Sequence, residues 1–414
     1  MELSTTTVLI LVAATILLVA LLWVLIRAVP RTRGKLRAET SRLDVPSRRV
    51  AATLLAGWRT AAGWALAAGI AVYLVLRVAM EVWARGVATA AHAPYFEETE
   101  EHFQGFMACQ RLPESSPGAT EADVERCYDA LGEAPLAPPQ ADDAWPLLLG
   151  LLVPLVAVMV TLGLLALLVA RRKNPEAAGA TVASAHVQPR GFLSFGPRWA
   201  MAIPAAAALL LCGWLVATGL ASSKDAYGRF TRMVVQRNSA ADDPEVGYAL
   251  PLTPGPQSVD IHGWFFGVPM IAAALILLVI AVLLLRSLAQ APRPRDPSLF
   301  GVDDLARKLK AKFVAGVAGA GMLAALAPVA VHTGGAMLTV AGDVRAVGEN
   351  VEFFYHDTML SGAYSYVAGL LFTALAILML VLAVGAAVEL VAARKLAVAL
   401  ALDEEKQGSG PEFR

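Results

Sequence analysis

Four ionisable side chains, Arg77, Glu81, His332 and Glu389, fall inside or at the ends of long apolar runs. A charge buried in lipid costs several kcal/mol, so such residues are first candidates for ion paths and proton relays. Arg77, Glu81 and Arg85 are spaced i, i+4, i+8 and share one helix face. They could line a polar path as a buried ion pair. The simpler expectation is an interfacial pair whose long stems snorkel to water. His332 follows Pro328 and precedes Thr333, Gly334 and Gly335. Proline removes a backbone donor and glycine tolerates irregular dihedrals. A helix break at Pro328, Gly334 and Gly335 would set freed backbone groups beside a titratable ring, an arrangement suited to an ion. Glu389 sits five residues before Arg394 and is expected to pair with it.

Other chemistry finds little support. The sequence has no nucleotide-binding glycine loop, zinc-protease helix motif or serine nucleophile elbow. No span carries two histidines at haem-ligand spacing, and the last span lacks a lysine for a Schiff base. His92, His102 and the acids Glu97, Glu98, Glu100 and Glu101 match no metal-ligand spacing and read as a solvated acidic face. The expectation is a protein that is not an enzyme, with no cofactor and no metal. No basic face stands clear of the apolar runs, which argues against nucleic acid.

The elements that must position these residues are membrane helices. Hydrophobic residues make up 57% of the 414 and charged residues only 16%, against about a quarter charged in soluble domains. Apolar runs at 8–26, 60–83, 145–170, 199–221, 264–285, 313–342 and 366–391 are each long enough to span a bilayer core, which needs about 20 helical residues. The run at 313–342 has no Lys, Arg, Asp or Glu and is the longest of them. It must tilt, overshoot or break. The predicted class is all-α: a polytopic membrane protein of seven transmembrane helices, one span followed by three helical hairpins.

Between the spans the charges are sorted. Residues 27–59 hold nine Lys or Arg against two acids, whereas 86–144 hold twelve acids against two basic residues. Over the chain, segments placed inside carry 25 Lys or Arg and those placed outside carry eight. The positive-inside bias therefore predicts the N-terminus out and the C-terminus in. The expected parts are a first span (1–26), a basic cytoplasmic segment (27–59), and a first hairpin (60–170) with its acidic external loop. A second hairpin with its lead-in (171–285), a third with an amphipathic lead-in (286–392) and a cytoplasmic tail (393–414) complete the chain. In the third lead-in Leu299, Val302, Leu305, Leu309 and Phe313 recur at helical spacing among basic residues, as in a helix lying on the membrane surface. Within the acidic loop, 96–110 and 120–131 read as two short helices.

Cys109 and Cys127 share that loop, and an oxidising compartment would join them, leaving Cys212 as a thiol inside a span. Short related texts, Ser194-Phe195-Gly196 and Ser298-Leu299-Phe300-Gly301, hint at a duplicated hairpin. Ala/Leu/Arg-rich composition and the absence of an Asn-x-Ser/Thr site suggest a bacterial inner membrane. Few polar residues fall at mid-membrane, which favours a non-enzymatic subunit that packs beside a membrane-protein partner, or a second copy of itself, in the bilayer. The alternative is an ion channel or transporter built on a broken sixth span around His332.

Overall fold

The computed structural model describes residues 35–111, 121–131, 144–171, 198–225, 227–235, 257–291, 294, 297–342 and 356–408. The expected first span, the Ser194-Phe195-Gly196 text and most of the loop at 343–361 lie outside these residues. The chain is helical and has six helices long and apolar enough to cross a membrane among the described residues. These correspond to the second to seventh expected spans.

In chain order the elements are α1 (Lys35–Ser41), α2 (Val45–Gln110), α3 (Glu121–Leu131), α4 (Ala144–Arg171) and α5 (Arg198–Leu220). Three strands follow, β1 (Ser223–Lys224), β2 (Phe230–Val235) and β3 (Gln257–Asp260), then α6 (Trp264–Gln290), α7 (Phe300–Gly342) and α8 (His356–Gly408). The chain divides into two compact units, one of Met1–Tyr73 with Leu151–Arg414 and the other of Leu74–Gly150.

In the first unit α7 is the centre. From 313 to 330 every residue is buried except Ala324 and Pro328. Each neighbouring span reaches it at a different level. Trp58 of α2 meets Phe313 edge-on at 6.1 Å between ring centroids. Val158 of α4 packs on Gly321, and Ile203 of α5 on Gly319. The longest contact is with α8, and small residues make it. A Cβ on Gly316 would lie 2.9 Å from the Met379 carbonyl and 3.0 Å from Ala383 Cβ. One on Gly369 would lie 2.7 Å from the Val331 nitrogen and 2.9 Å from the Ala327 carbonyl. One on Gly334 would overlap the Tyr366 backbone and come within 2.6 Å of the Gly362 carbonyl. The two backbones touch, as in small-residue packing of membrane helices.

The break expected at Pro328, Gly334 and Gly335 is absent. The α7 helix runs from Phe300 to Gly342 with Pro328 inside it. Pro328 is exposed, so its ring occupies the side of α7 away from the packed core. Gly334 serves the contact with α8 instead of a bend. The surface helix expected before this span is also absent as a separate element. Leu299, Val302 and Ala306 are buried, and the helix beginning at Phe300 continues straight into the span.

Between α5 and α6 an antiparallel sheet forms in the order β1-β2-β3, with Arg232 opposite Asp260 and Val234 opposite Ser258. The Asp225 carboxylate organises its first turn. It accepts hydrogen bonds from the Tyr227 and Arg229 amides, each at 2.8 Å, from Arg229 Nε at 2.9 Å and from Thr231 Oγ1 at 3.0 Å. Gly228 takes the left-handed conformation there, with φ of 77°. Burial by itself would raise the Asp225 pKa, but the bonds from Arg229, Thr231 and Tyr227 outweigh it and lower the pKa.

The second unit holds the rest of α2, all of α3 and the start of α4. The short helix expected to begin at Phe96 is instead the end of α2, which continues through Pro94 to Gln110. The stretch Ala88-Thr89-Ala90-Ala91-His92-Ala93 is rich in the strongest helix former, which carries the helix onward from the span. Cys109 and Cys127 form a disulfide with Cα atoms 5.6 Å apart, joining the end of α2 to α3.

Adjacent glycines on α7 give a sharp test of this packing. Gly334→Ala meets backbone and should destabilise by roughly 1–3 kcal/mol, the usual range for overpacking. Gly335 has open space around it, so Gly335→Ala should leave stability unchanged or raise it by up to about 1 kcal/mol. Thermal unfolding of both variants in one detergent checks the pair.

Candidate functional site

At the end of α7 nearer Gly342, His332 meets a second histidine that the sequence reading passed over. His262 lies in the three-residue link between β3 and α6. The link is held on both sides: the Ile261 amide donates to the Thr231 carbonyl at 2.7 Å, and Thr218 Oγ1 of α5 donates to the His262 carbonyl at 2.8 Å. Gly263 is pressed against Phe230 and Ser222 with no room for a Cβ. This fixes the backbone and turns the His262 side chain inward. Its ring is 4.6 Å from His332 and 5.0 Å from Phe266, edge-on to both.

The two imidazoles differ. His332 is exposed and His262 is 1% exposed, with neither ring nitrogen hydrogen-bonded among the described residues. A neutral imidazole carries one donor and one acceptor, so both functions of His262 are buried without a partner. Burial, and then the charge of His332, push its pKa down to about 3. His262 is therefore neutral at pH 7. A buried neutral ring edge-on to an exposed one could pass a proton or hold a small polar group. Among the described residues no cluster of three His, Cys, Asp or Glu offers a metal set.

The opposite end of α7 is built from charges. Arg307 is buried and donates through Nε to both Asp303 oxygens, at 3.0 and 2.9 Å. Its Nη1 donates to the Leu288 and Ala291 carbonyls, at 3.2 and 2.7 Å. Those carbonyls close the C-terminal turn of α6, where unpaired oxygens and the helix dipole favour a cation. Arg307 was legible only as one polar residue of an amphipathic stretch. Glu389, 2% exposed, does not take the expected partner: Arg37 of α1 approaches it at 3.6 Å, whereas Arg394 makes no ion pair among the described residues. The α1 helix packs against both α7 and α8, which brings Arg37 to Glu389 from a distant part of the chain.

Arg77 and Glu81 belong to the second unit, and His332 and Glu389 to the first. Glu81 pairs with Arg85 at 3.2 Å, with side chains 52% and 77% exposed. The Arg77 guanidinium lies beside Gly150 of α4.

Comparison of the chain with protein-family models, with curated proteins and with solved structures finds no match. What this protein does must be argued from its own residues.

His262 makes stability depend on pH with a definite sign. Its pKa falls from 6.5 to about 3 on folding, so the unfolded chain takes up the proton first. The stability this confers is complete above about pH 6.5 and is lost as the pH falls toward 3, at about 1.4 kcal/mol per pH unit. His262→Phe keeps a ring beside Phe266 and removes the titration. The unfolding midpoint should drop less between pH 7 and 5 for this variant than for the parent protein in the same detergent. Equal slopes would show that His262 carries no proton linkage.

Proposed function

We propose that the protein is a non-enzymatic subunit of a larger membrane complex in a bacterial inner membrane. In this reading it contacts its partners through its spans and its acidic external loops. The observation that carries the reading is the dry centre of the first unit. From 313 to 330 α7 presents Ala, Gly, Val, Leu, Met and Phe to its neighbours. A path for an ion or polar substrate needs several polar groups at mid-membrane, and the described residues of this stretch offer none. Glu389, the buried carboxylate, lies near the charged end and has Arg37 beside it. Orientation follows the charge bias, with the basic ends of α1 and α7 in the cytoplasm.

One observation favours the alternative, an ion channel or transporter. His262 and His332 stand together at one end of α7, the first with two unpartnered nitrogens. A conducting route through them would have to run beside α7 rather than through its contact with α8.

Native mass spectrometry of protein gently solubilised from its own host separates the readings. A stoichiometric second polypeptide is expected. A lone chain or homo-oligomer, together with ion flux in liposomes that His332→Ala abolishes while assembly stays normal, would replace the subunit by the transporter.

A further inference from the structure

The end of α7 opposite His332 carries more positive charge than its neighbours neutralise. On α1, Arg37 is matched with Glu389, and Glu39 pairs with Arg42 in the turn that follows the helix. On α7, Arg307 is matched with Asp303, while Lys310 lies over the Trp58 ring at 5.5 Å. Other cations at this end are left over. Lys35, Lys308, Lys312 and Arg394 form no ion pair or hydrogen bond among the described residues. Lys312 instead faces two like charges, Lys308 one turn away on α7 and Lys35 on α1. Arg394 is half-buried, and its Nε is shut off from solvent with no acceptor.

These residues share one end of the fold. The α1, α7 and α8 helices pack on one another pairwise. Gly316 of α7 lies against Ala383 of α8, and the two helices run in opposite directions. Moving one turn from Gly316 reaches Lys312 and a second reaches Lys308. The matching two to three turns on α8 lead from Ala383 to the level of Arg394, at about 1.5 Å per residue. Lys312 is also the last charged residue before the apolar run that starts at Phe313. The cluster therefore stands where a membrane helix passes from water into lipid, and Trp58 beside it is a residue typical of that boundary.

We propose that Lys35, Lys308, Lys312 and Arg394 form a binding site for a phosphate anion, and that an anionic phospholipid headgroup supplies it. Ammonium and guanidinium groups donate charge-assisted hydrogen bonds to phosphate oxygens. Like charges gathered without a paired carboxylate repel until an anion enters. A headgroup arrives at this depth with its acyl chains already alongside the apolar faces of the helices, which a free phosphate does not. The site is independent of whether the protein serves as a subunit or a transporter.

Native mass spectrometry of the delipidated full chain in neutral detergent tests it, with phosphatidylglycerol or phosphatidylcholine added at equal concentration. Phosphatidylglycerol should be retained severalfold better. Each cation removed should weaken that retention roughly fivefold, so the double change Lys308→Gln and Lys312→Gln should nearly abolish the preference. Arg394→Gln should reduce it, and Arg85→Gln, in the other unit, should not. Thermal unfolding without lipid confirms that the variants fold; should Arg394→Gln fail there, the lysine pair alone decides. Equal retention of the two lipids, or an unchanged preference in the lysine variant, would overturn the proposal. Displacement of phosphatidylglycerol by an equal concentration of inorganic phosphate would assign the site to a free anion and overturn the lipid as its ligand.

Discussion

The first unit depends on the direct backbone contact between α7 and α8. In water, helices associate because burying apolar side chains removes them from solvent. In a bilayer lipid tails are as apolar as leucine, and that driving force is missing. What remains is close packing, which grows as the helices approach. Gly316, Gly334, Gly362 and Gly369 permit that approach along the two helices, each where a Cβ would strike the partner. The other neighbours of α7 repeat the device in smaller form, Val158 on Gly321 and Ile203 on Gly319. A helix so surrounded can be long, free of charge from Phe313 onward and still specific in its position.

The polar chemistry is displaced to the two ends of α7, and each end solves a different problem. At one end the carbonyls that terminate α6 would be left without donors, and the buried Arg307 supplies them while Asp303 balances its charge. At the other, a short sheet returns the chain to α6 and presses His262 between Phe266 and His332. The first arrangement is well satisfied. The second leaves two ring nitrogens without partners, a cost of a few kcal/mol that packing alone does not explain.

Sequence patterning made some of this legible and hid the rest for physical reasons. Apolar length identified the spans now seen as α2 and α4 to α8, because span length is set by the bilayer. It also singled out the run at 313–342. What it misjudged was the use of particular residues within that run. Proline and glycine mark bends in soluble helices, but in a membrane helix glycine equally marks close approach, and only the facing backbone of α8 distinguishes the two. Glu389 was paired with the cation nearest in sequence, whereas α1 brings Arg37 from more than 350 residues away. The sheet left a local trace that went unread: Asp225 and Gly228 bracket a turn, and Phe-Thr-Arg-Met-Val-Val follows as a β-prone run. His262 left none. It falls between a loop and a span, and its importance comes from His332, 70 residues further along.

The same packing bears on mechanism. Alternating access needs helices with two stable arrangements, usually reached by rocking or by sliding one element past another. A slide between α7 and α8 would carry Gly316, Gly334 and Gly369 off their contacts together and place larger side chains where backbones now touch. The penalty would fall at well-separated levels of one interface at once. Rotation of the whole first unit, or movement confined to the sheet and the His262 link, would leave those contacts intact. Any conformational change this protein makes is therefore expected at the ends of α7 rather than along it, where the polar groups and the unsatisfied histidine already lie.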